Sequence, residues 1–233
     1  MGEEKLHEYY PHTEKILVAV NCIVFGFEKG QLKLLLLKRN IEPASGRWAI
    51  PGGFVNLSES LDNAGRRILN DLTGLEDVYM EQLYAYGKID RDPGARVISV
   101  AYYALIKLNE YTHQSVEEHD AHWIEFSEIP ELIFDHNEMM DKALTELRNR
   151  ARHQPIGFKL LAEKFTLPEL QTLYEALYQK ELDKRNFRKK IISMGFLQKL
   201  DDKDKNSKRG AYYYNFDKEK YEALIAKGFN FEI

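Results

Sequence analysis

Two apolar runs joined by one turn limit what this chain can become. "KILVAVNCIVFGF" (residues 15–27) is followed, after Glu28-Lys29-Gly30, by "QLKLLLLKR" (residues 31–39). β-branched and aliphatic residues dominate both runs and the glycine supplies the turn, so they read as two buried strands. The first run is interrupted by Asn21 and is too short to span a bilayer. Residues 1–12 hold no apolar stretch of the kind that opens a secretory leader.

The segments that follow alternate. "GRWAIPGGF" (46–54) is backbone punctuated by Gly and Pro. Leu61, Ala64, Ile68, Leu69, Leu72 and Leu75 then recur at steps of three and four, which predicts an amphipathic helix ending at Gly74. "YMEQLYAYGKI" and "ARVISVAYYALIKL" are predicted strands flanking the loop "DRDPGA". "DAHWIEF" is a shorter strand leading to a helix in the later part of 127–154. Strands, a helix, more strands and a closing helix imply an α/β domain with sheet and helices in layers.

Around Arg150 to Pro155 the character changes to short helices, with Pro155 and Gly157 marking the change. "GFKLLAEKF" reads as a short helix. "TLPELQTLYEALYQ" reads as a second, with Thr166 as N-cap and Pro168 in its first turn. "LDKRNFRKKIISMGF" reads as a third, from an Asp183 N-cap to a stop at Gly195. "FLQKL" and "AYYYNF" then flank the polar tip "DDKDKNSKRG". Three helices and a hairpin are the order of a winged helix. The reading is a domain over 1–150 and a second over 151–233, each with its own core.

The 233 residues carry a net charge of −4, which hides an asymmetry. Residues 151–233 hold 17 Lys+Arg against 12 Asp+Glu (+5), and residues 1–150 hold 16 against 25 (−9). The second part suits a polyanionic partner, although a basic solvated surface is the plainer alternative. The one cysteine, Cys22, cannot form an intrachain disulfide and lacks neighbours at zinc-ligand spacing. A packing role and a reducing, cytoplasmic setting are expected.

Residues 52–75, "GGFVNLSESLDNAGRRILNDLTGL", resemble the Nudix box, in which Gly, five residues, Glu, seven residues and Arg-Glu precede an aliphatic, any residue, Glu-Glu, any residue, Gly and an aliphatic. Gly53, Glu59, Arg67, Leu69, Gly74 and Leu75 fall in register. Carboxylates at i, i+3 and i+4 of the helix would point at one Mg²⁺, but here those positions hold Ile68, Asp71 and Leu72. The resemblance therefore implies the fold without its reaction: a degenerate box over 53–75, no catalytic residues, no metal and no cofactor. Glu59 and Arg67 would remain as an ion pair across loop and helix.

"GRWAIPGGFV", "QLYAYGKIDRDPGARVISVAYYAL" and "KFTLPELQTLYEALYQKELDKRNFRKKI" are similar to segments of Nudix-related transcriptional regulators of the NrtR type. The resemblance covers most of residues 16–216, and within the family it is greatest to the arabinose-responsive branch. It implies a Nudix-like α/β/α sandwich followed by a winged helix-turn-helix, and a homodimer that binds double-stranded operator DNA. The implied effector is a pentose, L-arabinose, with ADP-ribose as the alternative.

In the helix after Asp183, Phe187, Ile191 and Met194 define an inward face. Lys184, Arg185, Asn186, Arg188 and Lys189 are left for bases and phosphates, with Lys205, Ser207, Lys208 and Arg209 at the hairpin tip. For the effector, Asn21, Lys38, Trp48, Tyr84, Asp90 and Arg96 are candidates. Each also has an ordinary reading as core, strand-end charge or loop, and Arg91 reads as surface charge. A Mg²⁺-dependent hydrolase with a basic appendage and a protein-interaction adaptor are the competing classes.

Overall fold

A computed structural model describes residues 13–76, 78–204 and 210–233. Its centre is the strand predicted first, β1 (Leu17–Glu28), which turns through Lys29 and Gly30 into its antiparallel partner β2 (Gln31–Lys38). Short strands β3 (Trp48–Ala49) and β4 (Gly52–Phe54) pair with β2 and β1, and α1 (Leu61–Thr73) follows. The sheet is completed by β5 (Tyr79–Tyr86), β6 (Val97–Lys107) and β7 (Ala121–Glu125). Its order is β3-β2-β1-β6-β5, with β4 added on β1 and β7 on β2. β1 and β6 run parallel from the Leu17↔Val97 pair to Phe27↔Lys107.

Because side chains alternate along a strand, β1 serves two layers. Val20, Cys22 and Val24 face α1, together with Ala64, Ile68, Leu69 and Leu75. Ile23, Phe25 and Phe27 face the other way, toward α3 (His136–His153) and its Met139, Ala143 and Leu147. Between β6 and β7 lies α2 (Glu110–Glu118), which the apolar pattern does not announce. It is set by a local capping box in which Asn109 and Thr112 exchange hydrogen bonds.

After α3 the chain makes a 3₁₀ run, Pro155–Leu160, then the two-residue strand β8 (Phe165–Thr166), α4 (Leu167–Tyr178), α5 (Lys184–Ser193), β9 (Leu197–Lys203), β10 (Tyr212–Phe216) and α6 (Lys218–Ala226). β8, β10 and β9 form a three-stranded sheet in that order. The caps are those expected: Thr166 and Glu169 form a capping box, and the Asp183 carboxylate accepts from Asn186 N–H at 2.7 Å. This is the expected α/β layer structure followed by a helical part with a small sheet.

Two expectations are corrected. "GFKLLAEKF" is not one helix: the 3₁₀ run ends at Leu160, and Phe165 belongs to the small sheet. Its apolar residues point into an aromatic cluster, where Phe158 lies 4.8 Å from Phe216 and 5.5 Å from Phe165, ring centre to ring centre. Nor are there two cores split by the change in character near residue 150. α3 runs unbroken through that point, and a single apolar cluster continues from Ile23 and Phe25 through Leu147 and Ala151 to Leu170, Phe187 and Phe196. The division between clusters is the sheet itself, one on each face.

Candidate functional site

α1 carries the retained box. Its N-terminus is capped by Ser60, which accepts from Asn63 N–H at 3.2 Å. Its C-terminus is closed by Gly74 in the left-handed conformation (φ 67°), whose N–H donates to Asn70 O at 2.7 Å. A side chain at Gly74 would also stand 2.7 Å from His119 Cε1 and collide with Ser115. Glu59 and Arg67 form a two-pronged pair, Arg67 donating from Nε at 3.0 Å and from a terminal nitrogen at 2.6 Å. Asn56 N–H adds a third hydrogen bond to the same carboxylate at 2.8 Å. The Arg67 guanidinium, followed by the Asn56 N–H, holds the Glu59 carboxyl down at about 2. Arg67 also donates to Phe54 O and reaches Asp71 at 3.5 Å, so it ties loop to helix.

The positions between these anchors are dry. Ile68 is 3% exposed and packs among Val20, Cys22 and Leu69. A Cβ added at Gly53 would stand 3.1 Å from Ile68 Cγ1, so the box backbone rests on the isoleucine. Leu72 is half-buried, and Asp71 faces solvent with Arg67 as its partner. Among the described residues no group of three or more His, Cys, Asp or Glu gathers as a metal site.

On the opposite side of the box backbone lies a cavity of about 130 Å³, lined by Asn21, Arg39, Gly52, Leu72, Phe134 and His136 among others. Its floor is a buried polar network. Ser99 Oγ lies 2.6 Å from Asn21 Oδ1, Asn21 Nδ2 lies 3.4 Å from His136 Nε2, and Ile50 N–H donates to His136 Nδ1 at 3.1 Å. Since Nδ1 accepts, the ring proton sits on Nε2, and a flip of the Asn21 amide satisfies all three groups. Burial pushes the His136 imidazole down to about 4, so it is neutral at physiological pH.

Two arginines reach the cavity, in different states. Arg91 forks onto Asp135 at 2.8 and 2.7 Å with its side chain 3% exposed, so its charge is already matched. Arg39 donates from Nε to Ile41 O and Pro43 O and lies 5.5 Å from the Phe134 ring centre. Among the described residues it has no carboxylate partner. The cavity can therefore hold a polar ligand through neutral hydrogen bonds, the Arg39 guanidinium and the Asp92 carboxylate, which accepts from Gly94 N–H at 2.8 Å.

Of the six effector candidates, the structure brings only Asn21 to this cavity. Lys38 sits over Trp48 at 5.4 Å, and Trp48 packs edge-on against His122. Tyr84 is exposed beside Lys142 at 4.7 Å. Arg96 donates to Lys88 O and Asp90 is exposed in its loop. Arg91, read as surface charge, is instead buried, because its partner Asp135 is supplied from the turn before α3. Arg39, Phe134 and His136 were missed. They carry no local signal, since each is recruited from a segment distant in sequence.

The winged helix presents a second candidate surface. On α5, Phe187, Ile191 and Met194 are buried, while Lys184, Arg185, Asn186 and Lys189 are exposed. Arg188 is half-buried, and its Nε has no partner among the described residues. Lys205, Ser207, Lys208 and Arg209 lie outside the described residues. The wing strands add a feature the sequence did not flag: Tyr212 carries Lys199 at 3.5 Å and Lys203 at 4.5 Å from its ring centre. Among the described residues no helix is long and apolar enough to cross a membrane.

Comparison with known proteins bears on both surfaces. A family model of the NUDIX domain matches residues 15–147, and one of the NrtR DNA-binding winged helix domain matches residues 157–216. The chain is 32% identical over 210 residues to the ADPR responsive transcriptional repressor NtrR of Acinetobacter baylyi, covering 88% of this chain and 84% of that protein. Shewanella oneidensis NrtR complexed with a 27mer DNA superposes with a TM-score of 0.74 at 30% identity, over 85% of this chain and 93% of that one. The NUDIX domain of the same protein complexed with ADP ribose superposes over 63% of this chain and 99% of that one, with a TM-score of 0.52 at 30% identity. An ADP-ribose pyrophosphatase of Methanocaldococcus jannaschii is 32% identical over 136 residues, 58% of this chain and 76% of the enzyme.

Proposed function

We propose, from the premise that this chain belongs to the NrtR-type family of Nudix domains joined to winged helices, that it is a transcriptional repressor whose operator affinity is set by a small molecule held without turnover. The observation that carries this reading is the composition of α1. Its caps and its Glu59–Arg67 anchor are kept, while Ile68 is buried and Leu72 is half-buried where two acids would grip Mg²⁺. Removing those acids weakens metal binding and the charge stabilisation of a leaving phosphate. It leaves the loop-helix frame able to bind. The basic face of α5 then reads operator DNA, with Arg185 or Asn186 on a base edge and the lysines on phosphates.

ADP-ribose is the first effector to consider. It is the molecule named for the Acinetobacter relative and bound in the Shewanella NUDIX domain. Arg39, which has no carboxylate within 4 Å among the described residues, suits its diphosphate. The pentose reading rests on a different observation: at about 130 Å³ the enclosed space is that of one sugar unit, below the usual range of roughly 300–1,000 Å³ for larger ligands. A homodimer working in the cytoplasm would match paired half-sites, and binding would shift the balance between DNA-competent and incompetent forms.

Fluorescence anisotropy on duplex from the chain's own promoter, titrated with ADP-ribose and with L-arabinose, tests the proposal and ranks the effectors. Operator affinity unchanged by either would remove the sensing role. Mg²⁺-dependent release of AMP from ADP-ribose, abolished by Glu59→Gln, would restore the hydrolase reading.

A further inference from the structure

A second cavity, of about 930 Å³, lies away from the box. It is a cleft between the large sheet and the winged helix. One wall is the end of β6 with the start of β5, through Leu105 and Tyr79, and the other is the aromatic cluster of the winged helix, through Phe158, Phe216 and Tyr221. The size and the apolar, aromatic walls fit an organic ligand rather than an ion.

The rim carries both signs, three lysines and three glutamates. Lys107 from β6, Lys159 from the 3₁₀ run and Lys218 from α6 all line the cleft. Lys159 lies 4.1 Å from the Tyr79 ring centre. Partial burial, and then repulsion from Lys218 and Lys107, hold its ammonium below the ordinary lysine value. Of the rim carboxylates, Glu222 is 3.7 Å from Lys218 and Glu76 accepts from Asn70. Lys107 and Lys159 thus stand with two carboxylates, Glu76 and Glu163, that have no cationic partner within 4 Å among the described residues, but the charges that act on Lys159 are those of Lys218 and Lys107, so the ammonium groups gather on one side of the mouth. Deeper in, the Asn215 side-chain oxygen is buried and accepts no hydrogen bond among the described residues, a cost that a ligand N–H or O–H would relieve.

We propose that this cleft is a second small-molecule site, separate from the box-side cavity. It takes a planar apolar body that carries one anionic group, carboxylate or phosphate, and its occupancy biases how the winged helix sits on the sheet. The ring lies between Tyr79 and the Phe158–Phe216 wall, the anion meets Lys107 and Lys159, and a donor on the ligand reaches Asn215. Because the two walls belong to the two parts of the chain, a ligand that touches both favours one relative placement, and operator affinity follows by linkage.

The test uses the full chain with three probes, 1-naphthoate, 1-naphthyl phosphate and the neutral 1-naphthol, in isothermal titration and in operator anisotropy. At least one anion is expected to bind at one site per chain and to change operator affinity, and 1-naphthol to bind about fivefold more weakly. The two anions separate a carboxylate from a phosphate source. The double substitution K107Q/K159Q, at exposed positions, is expected to weaken the anion roughly tenfold, while Arg39→Ala in the other cavity leaves it unchanged. No saturable binding of either anion up to about 1 mM, binding indifferent to K107Q/K159Q, or binding lost in Arg39→Ala would each overturn the site. Binding with no change in operator affinity would overturn the coupling.

Discussion

Putting acid back into α1 tests whether the box has become a scaffold. Ile68→Glu places a carboxyl at a position 3% exposed, under Gly53 and among Val20, Cys22 and Leu69. Removing the buried isoleucine forfeits about 2 kcal/mol of transfer free energy. Keeping a buried glutamic acid neutral at pH 7 adds roughly 2–4 kcal/mol for a pKa raised by two or three units. Some of that is recovered if the longer side chain bends toward solvent, so a loss of about 4 kcal/mol is expected. With an unfolding entropy of about 2.1 cal/mol/K per residue over 233 residues, this lowers Tm by roughly 8 °C. Leu72→Glu, at a half-buried site beside the cavity, is expected to cost only about 1–2 kcal/mol. The assay is urea unfolding of both variants and of their combination, with and without Mg²⁺, alongside ADP-ribose turnover. A restored metal site would stabilise by mass action as Mg²⁺ is raised. No such recovery is expected. If Ile68→Glu is tolerated within about 1 kcal/mol, or the double variant regains stability and turnover with Mg²⁺, the dry-box account is refuted.

Gly74→Ala should cost more than about 2 kcal/mol in urea unfolding, because the left-handed φ of 67° and the contacts with Ser115 and His119 both oppose a Cβ; a neutral result would mean the α1 terminus can relax. The acid limb of stability should show two windows. His136 falls from 6.5 to about 4 in the folded chain, so stability is full above pH 6.5 and declines toward pH 4 as the unfolded chain takes up the proton, by about 3 kcal/mol. His136→Gln should flatten that window in urea midpoints followed against pH. Glu59, held at about 2, contributes stability above its ordinary value of 4.5 that disappears as pH falls through 2, and Glu59→Gln should remove only this lower window. Arg185→Ala with Lys189→Ala should leave Tm unchanged, since both are exposed, while lowering operator affinity at least about tenfold and flattening the salt dependence by about two phosphate contacts; unchanged affinity in gel shift would favour the adaptor reading.

What could be read from the residues alone was whatever is set within a turn or two of chain. β1 and β2 follow from continuous apolar runs, and α1, α4 and α5 from three- and four-residue spacing with the stop at Gly74 and the caps Thr166 and Asp183. The exposure of Lys184, Arg185 and Lys189 follows from Phe187 and Ile191 taking the inward face. Even the dryness of the box was available, since an aliphatic at Ile68 can only extend the apolar stripe. Ambiguous local signals do not settle the next segment. The apolar spacing from Phe158 to Phe165 resembles a helix, but ring packing against Phe216 draws the segment into a 3₁₀ run and a strand.

Tertiary structure decided what depends on groups that meet from afar. Arg91 is buried only because Asp135, 44 residues on, supplies its counter-charge. His136 reaches Asn21 across 115 residues and so builds the cavity floor. The single core that crosses from sheet to winged helix, and the cleft left beside it, arise because α3 has an apolar face long enough to serve both parts. Spacing along a chain reports the period of one element, whereas a pocket is the space left between several, and that space exists only once they have packed.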